Sequence, residues 1–267
     1  MKKWRLLRRT ILTLSFLIIL VNPFLNFYFN FNFIQGWYQS LGIGNLWVIS
    51  PLEGIQSILL SHSVYAPMLV GMLIPIILAF TLGRVFCSWI CPISFLSECL
   101  EYFRQKVLMR KIFNDLIILP RRLIWFVLVG DTLLALIAGA PFFVFLSPPG
   151  LVGREIMMMV FLHTLAVEGV VVVVVLLLHL LVTRRFFCRY FCPLGGLLAL
   201  MGAGRRLKVV LEPEECVQCG LCRKSCPMAL SPEKGEAALS YCWNCGECID
   251  ACSQGALRFE WRKDINS

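Results

Sequence analysis

The chain consists of long apolar runs separated by short polar or basic segments. Apolar stretches of roughly the length that crosses a bilayer as a helix occur in four places. They predict transmembrane helices over about residues 11–33, 67–82, 123–145 and 156–182. Pro23 lies inside the first stretch and is expected to kink it. The hydropathy pattern therefore predicts an all-α membrane domain with four spans.

Basic residues cluster at the ends of these runs, which is the pattern that sets membrane orientation. Several precede the first span, and none occurs between Arg9 and Arg84. The segment from about residue 30 to 65, and the short turn at 147–150, are therefore expected outside the cytoplasm. The basic stretch 84–122 and the arginines after residue 182 are expected inside. This distribution predicts a multi-pass protein of the bacterial inner membrane with both termini in the cytoplasm.

Two further patterns refine the membrane domain. A helix that could lie in the interface is indicated by Leu96, Leu100, Phe103 and Val107, which are spaced four, three and four residues apart. An aromatic belt is predicted at the far interface of the first span. It consists of Phe24, Phe27, Tyr28, Phe29, Phe31, Phe33, Trp37 and Tyr38. A cleaved signal peptide is the alternative for the first run, but no small-residue cleavage site follows it.

Composition supports a membrane domain and adds a boundary. Hydrophobic residues make up 58% of the 267 residues and charged residues only 15%, with a net charge of +9. Basic residues dominate positions 1–208, whereas acidic residues dominate positions 209–267. We therefore divide the chain into a membrane domain, 1–208, and a cytoplasmic domain, 209–267. The basic residues flank apolar runs, so we predict contact with lipid and no nucleic-acid binding.

The C-terminal domain carries two cysteine runs with the spacing of bacterial ferredoxins. In such runs three close cysteines hold one cubane and the fourth reaches the other cluster. Ser253 replaces the proline expected after the last cysteine, which removes no ligand. We therefore predict a small α+β, bacterial-type 2[4Fe-4S] ferredoxin-like domain. The crossover rule assigns Cys216, Cys219, Cys222 and Cys252 to cluster 1, and Cys226, Cys242, Cys245 and Cys248 to cluster 2.

Zinc and disulfides are the alternatives for these cysteines. Zinc ribbons use two C-x-x-C pairs separated by longer loops, unlike these runs of four. Disulfide scaffolds serve small secreted domains that lack a core, and this chain has abundant apolar residues. Both alternatives are therefore disfavoured.

A C-x-x-x-C-P motif occurs once in each half of the membrane domain, after a pair of predicted helices. Cys87 and Cys91 form the first, and Cys188 and Cys192 the second. The repetition predicts a duplicated two-helix unit with both motifs on the cytoplasmic side. Packed with pseudo-twofold symmetry, the four thiols could share one iron–sulfur or other soft-metal site. A redox-active or structural thiol pair remains the alternative, and Cys99 is interpreted as a simple buried thiol.

Ionisable residues within membrane spans are costly and are candidates for function. Asp131 lies in the predicted third span, and His163, Glu168 and His179 lie in the fourth. A carboxylate or histidine can accept a proton from a quinol, so these four are candidates for a quinol site. They could equally pair with neighbours or reach the interfaces. Haem bound by two histidines is less favoured, because the chain has only 3 histidines.

Taken together, these motifs resemble those of the NapH family over nearly the whole chain. The resemblance implies a ferredoxin-type membrane quinol dehydrogenase subunit that serves a periplasmic nitrate reductase. MauN-, NosR- and CcoG-type proteins are similar in architecture. The matching segments are Leu7-Arg8-Arg9, residues 83–92, Pro149, Gly153-Arg154, the second C-x-x-x-C-P motif with Gly195, and both ferredoxin runs, including Cys252-Ser253.

Two functions follow as expectations. The first is an electron-transfer subunit that oxidises quinol and passes electrons to an iron–sulfur or cytochrome c partner of a periplasmic nitrate reductase. A partner with its own redox groups is required because the predicted clusters lie on the cytoplasmic side. The second is a maturation or assembly factor that reduces a metal or thiols in another metalloenzyme. A membrane redox sensor is a weaker third reading, because the sequence contains no effector domain.

Overall fold

The computed structural model describes residues 3–29, 35–37, 40–43, 46–108, 117–141, 147–164 and 166–261. The first 206 residues are mainly helical. Their helices are α1 (Lys3–Phe29), α2 (Pro51–Ser61), α3 (Ala66–Leu82), α4 (Val85–Trp89), α5 (Pro92–Leu108), α6 (Leu123–Ala138), α7 (Pro148–Leu162), α8 (Val167–Leu181), α9 (Phe186–Tyr190) and α10 (Pro193–Met201). An antiparallel sheet precedes α2 and consists of β1 (Gln35–Trp37), β2 (Ser40–Ile43) and β3 (Leu46–Ile49).

Three of the four predicted spans correspond to single helices. Helix α3 matches the span predicted at 67–82. Helix α1 begins at Lys3, well before residue 11, and continues through Pro23. Helix α6 begins at Leu123 and ends at Ala138, because Gly139 adopts a left-handed conformation with φ 65°. Residues 30–33, 38 and 142–146 lie outside the described residues, and with them part of the predicted aromatic belt and the end of the third span.

By length and hydropathy alone, fewer than four of the described helices qualify as membrane spans. Within the described ranges, α1 is the one helix that is long and apolar enough to cross a membrane. Helices α3, α6 and α8 are apolar but have 17, 16 and 15 residues.

The span predicted at 156–182 is wrong, because α7 and α8 are two separate helices. The chain breaks after Leu162, where His163 has a left-handed φ of 52°. Polar contacts stabilise this break: the Glu155 carboxylate accepts hydrogen bonds of 3.1 Å from the backbone N–H groups of Ala166 and Gly169 at the start of α8. A carboxylate at a helix N-terminus satisfies otherwise unpaired N–H groups. A continuous apolar run can therefore turn back on itself here.

The short turn predicted at 147–150 is also wrong, because α7 begins at Pro148. Ser147 and the first residues of α7 are buried within the bundle. The segment 46–61, predicted in the outer loop, likewise folds back: β3 lies against α3 at Gly71, where a Cβ atom would collide with the Trp47 carbonyl oxygen. Hydropathy did not predict these returns, because neither segment is long enough to be recognised as a span.

The internal duplication is larger than the predicted two-helix unit. Helices α2 and α7 both begin with Ser-Pro and both end at a left-handed histidine, His62 in one and His163 in the other. Each of them precedes an apolar helix and a C-x-x-x-C-P segment. Among the described residues, the repeat therefore comprises α1–α5 in the first copy and α6–α10 in the second.

The two copies interlock in two hydrophobic cores. One core joins α2 and α3 of the first copy to α6 and α10 of the second, through Leu52, Ala79, Leu128, Leu194, Leu197 and Leu198. The other joins α7 and α8 of the second copy to α1 and α5 of the first, through Phe16, Ile93, Leu96, Leu151, Val152, Val172 and Val175. Each core thus draws residues from both copies, so neither copy packs alone.

The C-terminal unit contains β4 (Leu207–Leu211), α11 (Leu221–Ser225), α12 (Glu247–Ala251) and β5 (Leu257–Trp261). Strands β4 and β5 are antiparallel, with Leu207 opposite Trp261. The predicted boundary between residues 208 and 209 falls inside β4, so the unit begins at Leu207.

Candidate iron–sulfur sites

The two ferredoxin runs share one backbone geometry. Gln218 and Asn244, each one residue before the second cysteine of a run, have φ of 52° and 51°. Gly220 and Gly246, directly after that cysteine, are also left-handed. These turns wrap each run around its own cavity before the short helices α11 and α12 begin. Glycine accepts such a conformation without steric cost, which explains its place after the second cysteine.

Each cavity is completed by a cysteine from the other run. The cavity that we call site 1 is lined by Cys216, Cys219, Cys222 and Cys252. Site 2 is lined by Cys226, Cys242, Cys245 and Cys248. The structure thus brings together the two sets that the crossover rule predicted.

The C-x-x-x-C-P motifs also meet. Cys87, Cys91, Cys188 and Cys192 line a third cavity, site 3. In the second motif Cys192 caps α10: its Sγ accepts a 3.3 Å hydrogen bond from the Gly195 N–H, and Pro193 occupies the first helical position. Pro148 and Pro149, at the start of α7, line the same cavity. The four thiols predicted to share a site do lie around one cavity.

The chemistry of these three cavities fits iron–sulfur clusters. Each is lined by four free cysteines. No group of three or more His, Cys, Asp or Glu side chains converges as for a single metal ion in the part of the chain that the structure describes. Thiols that surround a space, rather than meet at a point, suit a cubane better than zinc. Cys99 lines none of these cavities and is exposed, which corrects its prediction as a buried thiol.

A buried arginine gives site 3 a positive charge. Arg84 lines site 3, is 1% exposed, and lies over the Trp243 ring. Its Nη2 donates a 3.3 Å hydrogen bond to the Cys188 carbonyl oxygen, while Nε and Nη1 have no partner among the described residues. A buried cation without a carboxylate is costly unless an anion lies nearby. Four thiolates around a cluster would provide that anion.

Site 3 lies directly against the ferredoxin unit. Cys87 and Cys188 pack on the hydrophobic core that contains the cysteines of site 2 and Trp243. The Ser88 hydroxyl donates a 2.8 Å hydrogen bond to the Trp243 carbonyl oxygen. Trp243 lines site 2, and Arg84 beside it lines site 3. One layer of side chains therefore separates the two sites.

Helix α1 holds the ferredoxin unit in place through ion pairs. Arg8 contacts Glu98 of α5 and, at 2.8 Å, Glu247 of α12. Arg5 also pairs with Glu247. Burial alone would raise the pKa of Glu247, but Arg8 and Arg5 outweigh burial and hold that pKa below its ordinary value. The carboxylate is therefore ionised, and Arg8 connects α1 to both α5 and α12.

Site 1 holds the one exposed cysteine among the twelve that line the three sites. Cys219 of site 1 is exposed, as are its neighbours Val217 and Leu221. Three of the cysteines of site 2 are buried, and site 3 is enclosed by both copies of the repeat. Site 1 is thus the point at which another protein can approach most closely.

The four ionisable quinol-site candidates do not form a common site. Asp131 accepts a 2.7 Å hydrogen bond from Gln56, and Glu168 pairs with Arg154 at 3.0 Å. His179 is buried and shares a 2.8 Å hydrogen bond with Ser97, whereas His163 lies at the break before α8. Their partners differ, and none of the four lines the three cysteine cavities.

Sequence reasoning missed Arg84 and the two Ser-Pro helix starts as parts of the site. Arg84 was interpreted as one of many basic residues that set membrane orientation. The Ser-Pro starts carried a signal, because Ser50-Pro51 and Ser147-Pro148 occupy equivalent places before the two motifs.

Comparison with known proteins agrees with this geometry. The family described as "4Fe-4S binding domain" matches residues 66–111 and 165–209, which contain the two C-x-x-x-C-P motifs. The family described as "4Fe-4S dicluster domain" matches residues 208–253. These matches indicate that the protein binds iron–sulfur clusters. No solved structure matches the chain.

Similar proteins match over most of the chain. The ferredoxin-type protein NapH of Haemophilus influenzae is 28% identical, over 89% of this chain and 84% of its own. The methylamine utilization ferredoxin-type protein MauN of Paracoccus denitrificans is 30% identical, over 84% of this chain and 76% of its own. The putative electron transport protein YccM of Escherichia coli is 28% identical, over 82% and 61%. The chain therefore belongs to the family of ferredoxin-type electron-transfer proteins that includes NapH and MauN.

Proposed function

We propose that this protein is a membrane subunit that oxidises quinol and passes the electrons through iron–sulfur clusters to a partner protein. The observation that carries the proposal is the row of three four-cysteine cavities. It runs from the interlocked helices at site 3, past Trp243 to site 2, and on to the exposed edge at site 1. Closely spaced one-electron centres are what a path between a membrane donor and a soluble acceptor requires.

The proposed ligands are the twelve cysteines of the three sites. Cys216, Cys219, Cys222 and Cys252 would hold cluster 1, and Cys226, Cys242, Cys245 and Cys248 would hold cluster 2. Cys87, Cys91, Cys188 and Cys192 would hold a third cluster, with Arg84 offsetting its negative charge. When bound, these clusters supply one-electron redox chemistry.

The membrane placement is part of the proposal. We place α1, α3, α6 and α8 across the inner membrane, with α2 and α7 as re-entrant helices that begin inside the bundle. Exposed apolar side chains on these helices support this, among them Leu69, Leu73, Ile77, Phe126, Val129, Leu133, Val170, Val173 and Leu177. Both termini, with the ferredoxin unit, would then lie in the cytoplasm, as the basic residues near α1 and α4 indicate.

The reaction balances with one-electron centres as acceptors. Each quinol loses two electrons and two protons and becomes a quinone. Two iron–sulfur centres take one electron each, and the protons pass to water. The partner that receives the electrons would dock at site 1 near Cys219. The resemblance of the motifs to the NapH family implies that the electrons are destined for a periplasmic nitrate reductase.

The proposal is tested by reducing the purified protein with a menaquinol or ubiquinol analogue. We expect the EPR signals of reduced iron–sulfur clusters to appear, as they do with dithionite. Signals that appear with dithionite but with no quinol analogue would reject quinol as the donor.

A second function is favoured by the relatives named methylamine utilization ferredoxin-type protein MauN. In that case the protein would be a maturation factor that uses cytoplasmic reducing equivalents to build another metalloenzyme. The same EPR experiment separates the two functions, because a cytoplasmic donor such as a reduced flavoprotein would then reduce the clusters and quinol would not.

The third cluster is tested by counting iron. Replacing Cys87 and Cys188 together by serine should lower the iron content by about one cubane per chain, because two of four thiolate ligands are lost. Cys99→Ser is the matched control, since Cys99 lies outside the three cavities. Equal iron content in the double variant and the control would show that site 3 holds no cluster.

A further inference from the structure

An apolar cavity adjoins site 3. It has a volume of about 190 Å³ and lies between β3, the start of α2, and helices α3, α4 and α10. An apolar cavity of about 150 Å³ is large enough to bind benzene, so this one has room for a single ring. Two side chains, Phe86 and Leu194, line both this cavity and site 3. Whatever binds in the cavity is therefore separated from the four cysteines by a single side-chain layer.

Helix α4 and the two residues after it face both spaces. Cys87 and Cys91 line site 3, Ile90 lines the apolar cavity, and Phe86 lines both. The arrangement places a bound molecule beside the cysteine pair.

The lining defines the chemical class of the ligand. Among the described residues, no charged side chain lines the cavity. Ser50, at the start of α2, is the one polar side chain in that lining. Ser50 is 7% exposed, and its hydroxyl has no hydrogen-bond partner in the described part of the chain. A buried hydroxyl without a partner is costly unless a ligand pairs with it. A neutral, largely apolar molecule with a hydroxyl or carbonyl group satisfies all of these features.

The cavity opens where an apolar tail could leave it. Ile74 and Leu78 of α3 line it and are 39% and 45% exposed. On a helix that we place in the membrane, these side chains face lipid. A head group inside the cavity and an isoprenoid tail between these side chains fit that geometry.

A second large cavity lacks these properties. It lies between α1, α5, α7 and α8, where Phe16 and Val173 line it, and has a volume of about 490 Å³. It shares no lining residue with site 3. Its one charged side chain, Glu155, is already bonded to the backbone at the start of α8. This cavity therefore serves as an internal comparison.

We propose that the cavity beside site 3 binds the quinol head group, with the Ser50 hydroxyl hydrogen-bonded to a quinol oxygen. The proposal rests on the proposed function for the identity of the ligand. It replaces Asp131, His163, Glu168 and His179 as the quinol site by a cavity that contacts none of them. The wall formed by Phe86 and Leu194 then lies between donor and acceptor.

The test uses the full chain with its clusters, purified in detergent, and a short-tailed azidoquinone as the probe. We expect photolabelling of residues of this cavity. Ile74→Trp, which fills the cavity, should weaken binding at least tenfold. Ile77→Trp is the matched control, because Ile77 lies on the same helix, is exposed and does not line the cavity. Ser50→Ala should weaken binding roughly fivefold, as the loss of one neutral hydrogen bond predicts.

Three results would overturn the proposal: equal binding by Ile74→Trp and Ile77→Trp, unchanged binding by Ser50→Ala, or labelling of Phe16 and Val173 in the second cavity. Dithionite-reduced EPR spectra check that each variant is folded, and labelling of the unaltered protein decides the question if Ile74→Trp does not fold.

The outcome is distinguishable from failure of the proposed function. Azidoquinone that labels this cavity, in a protein whose clusters no quinol reduces, would support the site and reject quinol oxidation. Clusters that quinol reduces equally in Ile74→Trp and unaltered protein would reject the site and leave quinol oxidation standing.

Discussion

Arg84 is the residue whose charge bears most directly on site 3. Its guanidinium is buried beside Cys87 and Cys188 and has no carboxylate partner among the described residues. Its equivalent in the second copy, Arg185, contacts both Glu98 and Glu101. Glutamates therefore neutralise Arg185, whereas among the described residues no carboxylate neutralises Arg84 at site 3.

Removing this charge should make site 3 harder to reduce. At about 5 Å and an effective dielectric constant of about 20, a unit charge contributes about 3 kcal/mol. For a one-electron couple this corresponds to a potential change on the order of 100 mV. We expect Arg84→Gln to lower the midpoint potential of the site 3 cluster by that order, measured by redox titration with EPR.

Arg84→Lys is the control, because it keeps the charge and loses the planar hydrogen-bond geometry. A midpoint potential that shifts equally in both variants would mean that hydrogen bonding, and not charge, sets the potential.

At the residue scale, the cysteines could be predicted from the sequence and Arg84 could not. Cys216, Cys219 and Cys222 are close together in the sequence, so their spacing predicts that these thiols line one cavity. The role of Arg84 depends on its having no carboxylate partner among the described residues. Only the packing of distant segments determines which groups surround it. A single sequence gives no measure of which buried charges are paired.

At the scale of elements, the return of β3 to α3 depends on one glycine. A Cβ atom at Gly71 would collide with the Trp47 carbonyl oxygen, whereas at Gly130 of α6 it would meet nothing within 4 Å. Gly71→Ala should therefore lower the free energy of unfolding by about 1–3 kcal/mol through overpacking. Gly130→Ala should raise it by up to about 1 kcal/mol, because alanine favours helix. Thermal unfolding in detergent measures both changes.

Opposite signs for the two substitutions are the expected pattern. If Gly71→Ala were as stable as Gly130→Ala, the close contact between β3 and α3 would not exist in solution.

Most helices could be predicted from the apolar runs, but α2 and α7 could not. Helix α3 lies where the hydropathy pattern placed it, because a long apolar run bounded by proline and arginine has one simple interpretation. Helices α7 and α8 were merged into one span, because the break depends on Glu155 reaching the start of α8. That contact joins residues 11 and 14 positions apart, and neither hydropathy nor helical periodicity reports it.

At the scale of the whole molecule, Arg8 links the helical domain to the ferredoxin unit. Its side chain is 5% exposed and contacts Glu98 and Glu247, whereas the neighbouring Arg9 side chain is 52% exposed. Arg8→Gln leaves two buried carboxylates with fewer partners and should cost about 3 kcal/mol. Arg9→Gln should cost about 1 kcal/mol or less, as exposed ion pairs do.

Thermal unfolding compares the two arginine variants, and limited proteolysis reports whether the ferredoxin unit has separated. Similar stability and similar cleavage in both variants would contradict a role for Arg8 in holding the two parts together.

The exchange of helices between the two copies has a consequence for how such a molecule could arise. One repeat supplies two thiols of site 3, and a cubane needs four, so a chain with a single repeat would bind a cluster only as a homodimer about a twofold axis. Joining the two repeats in one polypeptide frees each half to diverge. Arg84 and Arg185 have done so, one left facing the thiols and the other neutralised by glutamates. The two faces of site 3 therefore differ in charge, which a symmetric homodimer could not achieve.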